Sequence, residues 1–463
     1  MKTNIVFDFI RQLSSKSLVP KVCIVGAGPA GFYAAQQIIK VSGDAQIDIL
    51  ERLPVPYGLV RYGVAPDHPE VKNVITTFNK TAKHPRVQFL GNINVGHDVS
   101  VQKLRENYDA VLLSYGAEQD RLLNIPGENL GNVISGRNFV GWYNGLPWAR
   151  DLKINLDQEE AVIIGQGNVA IDIARILLSP VDKLKTTDIT SYSLEQLSRS
   201  KVRKVWLVGR RGPLQTAFTT AELREITKLE KCKTLWRSED FTGIRAILPN
   251  LARPRRRLSE LMLQSLEHSS FDETRHVKEL RPIFLRSPIE FTGSDSLKSV
   301  KFAINKLEGG DLLKQRAEAT QDFEEIPCGL ALRSIGYKSV PIDQTVPFDS
   351  KSGRIVNSSG KVDETLYAAG WVATGPTGVI LTTMNNAFQI GGLIAKEIKI
   401  NEAKNGWVGL KEILDKKGVQ VVHYEDWEKI DKEEIERGKA VGKPREKIVN
   451  ISEMLEIASK SSN

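Results

Sequence analysis

Short apolar runs that end in glycine turns and lead into helices recur along this chain. Val22-Cys-Ile-Val25 is continuously apolar, as expected of a strand buried on both faces. It leads into Gly26-Ala-Gly-Pro-Ala-Gly31 and then the stretch Phe32–Ile39, predicted as a helix. Ala161-Val-Ile-Ile164 leads in the same way into Gly165-Gln-Gly-Asn-Val-Ala170 and the helix Ile171–Leu178. Further strands are predicted at Gln46–Leu50, Asp109–Leu113, Lys204–Val208 and Thr365–Ala369, with a long helix Leu381–Ile398 after the last. The polar stretch 179–201 reads as an insertion, and the charged tail 421–463 as a surface-packed extension.

Strand, glycine turn and helix in succession form the context in which a GxGxxG motif signals a dinucleotide. The charge that closes the next strand separates the two copies. Gln46–Leu50 ends at Glu51. A carboxylate there accepts hydrogen bonds from ribose hydroxyls and repels a 2′-phosphate, which fits FAD or NAD and argues against NADP. Lys204–Val208 ends in Gly209-Arg-Arg-Gly212, and two guanidiniums at the equivalent place suit a 2′-phosphate. The first site, with Gly26, Gly28, Gly31 and Glu51, is therefore expected to take FAD, and the second NADPH. Helix amides at Gly378, Val379 and Ile380 would face an electron-rich flavin edge or a phosphate. The predicted fold is α/β, with two Rossmann-like three-layer dinucleotide-binding domains. The FAD domain, 19–117 and 336–463, would be discontinuous, with the NADP domain, 118–335, inserted in it.

Composition narrows the chemistry. With 463 residues, 41% hydrophobic, the chain can bury two sizeable cores. No apolar run approaches the roughly 18–20 residues of a membrane span. Cys23, Cys232 and Cys328 are far apart and the six histidines are scattered, so neither a dithiol relay nor a metal site is suggested. Electrons leaving a flavin here would pass straight to an external acceptor. Residues 1–18 carry Lys2, Arg11 and Lys16 among serines and apolar side chains, interrupted by the single acid Asp8, and read as a mitochondrial presequence, with an irregular N-terminal extension as the alternative.

Longer motifs go beyond the fingerprints. ERLPVPYGLVRYGVAPDHPEVKN (51–73), FVGWYNGLP (139–147), GQGNVAIDIARILL (165–178), VGRRGPLQTAFTTAELRE (208–225), GWVATGPTGVI (370–380) and GKPREK (442–447) together resemble the mitochondrial adrenodoxin reductases, or ferredoxin–NADP reductases. The resemblance runs from about Val19 to Leu455 and is weakest over 228–322, apart from ARPRRRL (252–258). It implies FAD at Ala30, Glu51, Leu59, Val95, Trp371, Gly378, Val379 and Ile380. It implies NADP at Gln166, Gly167, Asn168, Val169, Arg210, Arg211, Glu222 and Gly378. Glu222 would either orient the two arginines or neutralise a surface patch. Trp371 would stand near the flavin or nicotinamide, or anchor the core. The implied reaction is hydride transfer from NADPH to FAD, then one-electron delivery to a mitochondrial [2Fe–2S] ferredoxin. No side-chain nucleophile is required, and His68 and Asp172 are candidates only for proton balance at the flavin, against a plain capping or hydrogen-bonding role. Such ferredoxins are acidic, which suits the net charge of +8. Arg253, Arg255, Arg256 and Arg257, fanning outward from a helix start, are the candidate partner contacts. The implied location is the mitochondrial matrix or the matrix side of the inner membrane, with room for peripheral association. No nucleic-acid signature is present.

Two other readings compete. A different NADPH-dependent flavoprotein is one, although thioredoxin-reductase-like enzymes need a CxxC pair, and glutamate-synthase-type subunits need N-terminal cysteine clusters, that this chain lacks. The other is a non-catalytic FAD and NADPH redox sensor, whose sites would look the same.

Overall fold

The computed structural model describes residues 19–267, 278–378 and 380–460. The expected presequence lies outside them. Two six-stranded sheets carry the fold. In the first, the strand order is Leu366–Ala368, Ala110–Leu113, Lys21–Val25, Gln46–Leu50, Val87–Gly91 and Val422–His423. All pairs are parallel except the last, where Val422–His423 runs antiparallel along the edge. In the second, the order is Val133–Ser135, Leu330–Arg333, Glu160–Ile164, Lys204–Val208, Lys278–Ile283 and Cys232–Thr234, parallel throughout. Continuous apolar strands such as Val22–Val25 are buried on both faces, as parallel sheets demand.

The chain leaves the first sheet after Leu113 and rejoins it only at Leu366. Its outward and returning connections pair with each other, Gln119–Asp120 against Tyr337–Lys338. A three-stranded antiparallel meander, Arg286–Gly293, Leu297–Glu308 and Arg316–Pro327, packs Phe291, Val300, Phe302 and Ile326 against the second sheet. The helix Ile380–Glu397 fixes the returning segment to the first-domain helix Pro29–Val41. A Cβ at Gly391 would lie 2.6 Å from the Ala34 carbonyl oxygen, so the two helices can approach this closely only at a glycine.

The insertion 179–201 carries structure of its own, and the expectation for the tail needs correcting. The stretch 179–201 holds helices Val181–Leu184 and Ser191–Ser198, with Ile189, Thr190 and Ser193 buried between them and their surroundings. The tail is not surface-packed. Tyr424, Trp427 and Ile430 enter the core from the helix Tyr424–Ala440. Glu434 of that helix is fully buried, in a bidentate ion pair with the buried Arg61. Arg445 and the Ile448 amide complete its hydrogen bonding. A charged, mixed sequence hid these features because its buried charges are paired rather than absent.

Candidate functional site

Strand register brings the carboxyl ends of Lys21–Val25, Gln46–Leu50 and Ala110–Leu113 to one edge, where open α/β sheets hold ligands. Gly26 turns the chain with φ +107°, and a Cβ there would lie 2.7 Å from the Ser114 carbonyl oxygen. At Gly31 a Cβ would lie 2.1 Å from the Gly26 oxygen, so helix and turn touch. Gly28 differs from both, since a Cβ on it would meet nothing within 4 Å. No side chain caps the helix start beside it. The glycine therefore opens onto space at a helix N-terminus, a cradle that fits a pyrophosphate.

Glu51 borders this cradle. Its carboxylate accepts the Ala27 amide at 3.0 Å and the Leu53 amide at 3.2 Å. Burial pushes its carboxyl above the ordinary carboxylate value, against the pull of these donors. Val95 is buried in a segment tied to Glu51 through the Ile93 amide, which donates to the Glu51 carbonyl at 2.9 Å. Leu59 is exposed and follows Gly58, where an added Cβ would lie 3.2 Å from Gly28 Cα. Gly370 abuts Ala30, where an added Cβ would lie 2.7 Å from the Ala30 Cβ. Trp371, the next residue, stacks on Tyr337 at 6.1 Å between centroids. Backbone contacts thus bring the sequence-distant residues Ala30, Glu51, Leu59 and Trp371 around the first glycine turn. Gly378 is exposed with φ +83°, and the helix begins at Ile380, while Val379 lies outside the described residues.

The second turn repeats the geometry. Gly165 has φ +121°, with the Ser334 carbonyl oxygen 2.1 Å from an added Cβ, and Gly167 opens onto free space at an uncapped helix start. The residues between and after them are held from the far side. Gln166 Nε2 donates to the carbonyls of Leu207 at 3.1 Å and Ile283 at 3.0 Å. The Gln166 carbonyl accepts the Ala217 and Phe218 amides, and Asn168 Oδ1 accepts the Thr219 amide at 2.9 Å. Val169 packs against the core. Arg210 is exposed and Arg211 half-buried at the end of Lys204–Val208, and neither forms an ion pair among the described residues. Both turns fit a dinucleotide, and the second fits one bearing an extra phosphate.

Glu222 takes neither expected role. Its carboxylate accepts from Arg175 Nη1 at 3.2 Å rather than from Arg210 or Arg211. Arg175, buried, also binds Asp67 at 2.5 Å and Asp172 at 2.8 Å. His68 Nε2 lies 2.8 Å from Glu225. Ligand atoms of His68, Asp172 and Glu222 lie within 4.8 Å of one another, a spacing that the scattered histidines did not suggest. Arg175 already supplies the positive charge these carboxylates need. Burial raises the Asp172 carboxyl to about 6, with Arg175 opposing. Asp67 and Arg175 escaped the sequence reading, although a lone arginine inside the apolar run IDIARILL was a usable signal.

The arginine run occupies the start of the helix Arg253–Glu267. Arg253 and Arg257 are exposed, and Arg256 reaches toward Glu260 at 3.9 Å. Arg255 does not fan outward, since its Nη1 donates to the Thr216 carbonyl at 3.0 Å and hydroxyl at 3.1 Å. The three cysteines are free and buried, and no described helix is long and apolar enough to cross a membrane.

Comparison with known proteins agrees with this geometry. The pyridine nucleotide-disulphide oxidoreductase family model matches residues 20–227. The chain is 51% identical over 460 residues to the mitochondrial NADPH:adrenodoxin oxidoreductase of Salvelinus fontinalis, covering 96% of this chain and 92% of that protein. Its identity to the Drosophila melanogaster protein of the same name is also 51%, over 97% of this chain and 96% of the other. The structure of Mycobacterium tuberculosis FprA in complex with NADPH superposes with a TM-score of 0.90 at 36% identity, covering 95% of this chain and 99% of FprA. Half the residues are shared across nearly the full length, and the chain belongs to the NADPH:adrenodoxin oxidoreductase family.

Proposed function

We propose that this protein takes a hydride from NADPH into bound FAD and passes the electrons singly to an adrenodoxin-like mitochondrial [2Fe–2S] ferredoxin. One observation carries the reading: two like turns in one chain end in opposite charge, Glu51 at the first and Arg210-Arg211 at the second. Family membership supports NADPH and adrenodoxin as electron donor and acceptor. When bound, FAD supplies the exchange between a two-electron donor and a one-electron acceptor. The chain supplies position. The Gly28 cradle holds the pyrophosphate of FAD and Glu51 accepts from its ribose. Leu59, Val95 and Trp371 wall the FAD site, and Gly378 joins the two sites. Gln166–Val169 present the second helix start to NADPH, and Arg210 and Arg211 take its 2′-phosphate. The Asp172 carboxyl, raised by burial to about 6, is mostly ionised near neutral pH and pairs with Arg175, within reach of a proton exchange at slightly lower pH. Arg253, Arg256 and Arg257 offer positive charge to an acidic ferredoxin. Residues 1–18 direct the chain to mitochondria, with the enzyme working in the matrix or on the matrix side of the inner membrane.

The test is cytochrome c reduction by the purified flavoprotein, driven by NADPH or NADH, with and without a mitochondrial [2Fe–2S] ferredoxin. Ferredoxin-dependent turnover that prefers NADPH is expected. Rapid NADPH oxidation that ignores ferredoxin would point to another acceptor, and no turnover with any acceptor would point to a sensor.

A further inference from the structure

Several buried or partly buried arginines of this protein face carboxylates. Arg61 pairs with Glu434, Arg175 with Asp67, Arg237 and Arg286 with Glu324, and Arg333 with Glu128. Arg255, like Arg86, Arg137 and Arg211, has no carboxylate ion pair among the described residues. It is half-buried. Among the described residues its hydrogen-bond partner is Thr216, reached through Nη1 alone. Two acceptors use both hydrogens of that nitrogen. The Nε–Nη2 edge, the one shaped for two oxygens of a single oxyanion, is left without a partner among the described residues.

Thr216 shows which way that edge serves. It closes the short turn Pro213–Gln215 that follows Arg210-Arg211. The next two amides, of Ala217 and Phe218, donate to the Gln166 carbonyl at 3.2 and 3.0 Å. Arg255 is therefore moored between the glycine turn and the arginine pair. Burial and the charge of Arg210 push the Arg211 guanidinium below its ordinary value, and burial and the charge of Arg211 do the same to Arg255. Three like charges gathered without a counter-charge are relieved by an anion.

We propose that Arg255 is a third guanidinium for the 2′-phosphate of NADPH, a specificity-determining residue rather than a ferredoxin contact. This rests on the reading that Arg210 and Arg211 take that phosphate. Thr216 acts as a positioning residue, holding Nη1 so that the opposite edge faces the ligand.

The experiment uses the intact flavoprotein and two soluble probes, 2′,5′-ADP and 5′-AMP, titrated by calorimetry into Arg255→Gln, Arg255→Lys, Thr216→Val and Arg211→Gln. KM values for NADPH, NADH and ferredoxin are measured in parallel. Arg255→Gln is expected to weaken 2′,5′-ADP roughly 10-fold and leave 5′-AMP and NADH unchanged. Arg255→Lys recovers part of the loss, because a point charge lacks the fork. Thr216→Val gives a smaller loss, and it carries the test with Arg255→Lys if Arg255→Gln fails to fold. If Arg211→Gln weakens 2′,5′-ADP and no Arg255 variant does, this inference falls while the reading beneath it stands. If Arg211→Gln has no effect either, both fall. A rise in ferredoxin KM alone returns Arg255 to the partner surface and overturns the proposal.

Discussion

The two glycine turns share a backbone and differ in how they satisfy their own charge. At the first, Glu51 is braced by the amides of Ala27 and Leu53, so its carboxylate is organised before any ribose arrives. At the second, Arg210, Arg211 and Arg255 have no carboxylate partner among the described residues, so this site stays electrostatically incomplete until an anion enters. The first arrangement suits a group that stays bound. The second suits a substrate that must arrive, be recognised by charge, and leave.

The largest test of this contrast fills the two cradles. Gly28 and Gly167 have φ −85° and −94°, which any residue adopts, and a Cβ on either meets nothing within 4 Å. Gly28→Val is expected to fold but to lose flavin, and Gly167→Val to keep flavin but lose NADPH binding. Each loss should be roughly 100-fold or more, since the added methyls overlap the ligand rather than the protein. Flavin absorbance after gel filtration and calorimetry with NADPH read the two losses separately. Loss of both ligands from either variant would mean that the turns are not independent.

Next in size is the charge itself. Arg211→Gln should lower kcat/KM for NADPH roughly 10- to 100-fold, the worth of one charge-assisted contact, and leave NADH unchanged. Glu51→Gln should cost less, roughly 5- to 10-fold in flavin affinity, because one oxygen still accepts from the ribose or an amide. An Arg211→Gln enzyme that kept its NADPH preference would break the comparison at its second half.

The sites also differ in what they titrate. The first helix, Pro29–Val41, contains no acid, whereas Asp172 lies in the second, Asn168–Leu178. The folded state raises Asp172 from 3.8 to about 6, so it binds that proton more tightly than the unfolded chain does. The stability this contributes is complete below the unfolded value and is lost as pH rises through about 6. Asp172→Asn should flatten the pH dependence of the urea midpoint between about pH 4 and about pH 7. An unchanged slope would show that Arg175 keeps Asp172 ionised throughout.

Much of this was legible in the sequence because strand, turn and helix are adjacent along the chain. Gly26, Gly28, Glu51, Gly167 and Arg210 could be read with their neighbours alone. The late return of Leu366–Ala368 to the first sheet was legible too, as a second strand that ended in glycine before a long helix. Illegible features depended on partners distant in sequence. Glu434 looks like a solvated helix residue until Arg61 is placed against it. Arg175 looks like an interruption of an apolar run until Asp67 and Glu222 converge on it. Arg255 was indistinguishable from its neighbours in a basic run, and only the Thr216 contact separates it from them.

That separation yields the smallest effect. Arg253 and Arg257 are exposed on the helix that carries Arg255, and they face solvent rather than the nucleotide turn. Double substitution to Glu should raise the ferredoxin KM roughly 5- to 10-fold at low salt, with the difference from the parent shrinking as ionic strength rises. Reduction of a small neutral dye, and the affinity for 2′,5′-ADP, should not change. Surface charges of this kind steer an encounter and are screened within about 10 Å at 0.1 M salt, whereas the moored guanidinium of Arg255 acts at contact and keeps its effect as salt rises. Salt dependence therefore divides one run of arginines into two functions. If the double Glu variant and Arg255→Gln responded to salt in the same way, the run would have to be treated as a single patch.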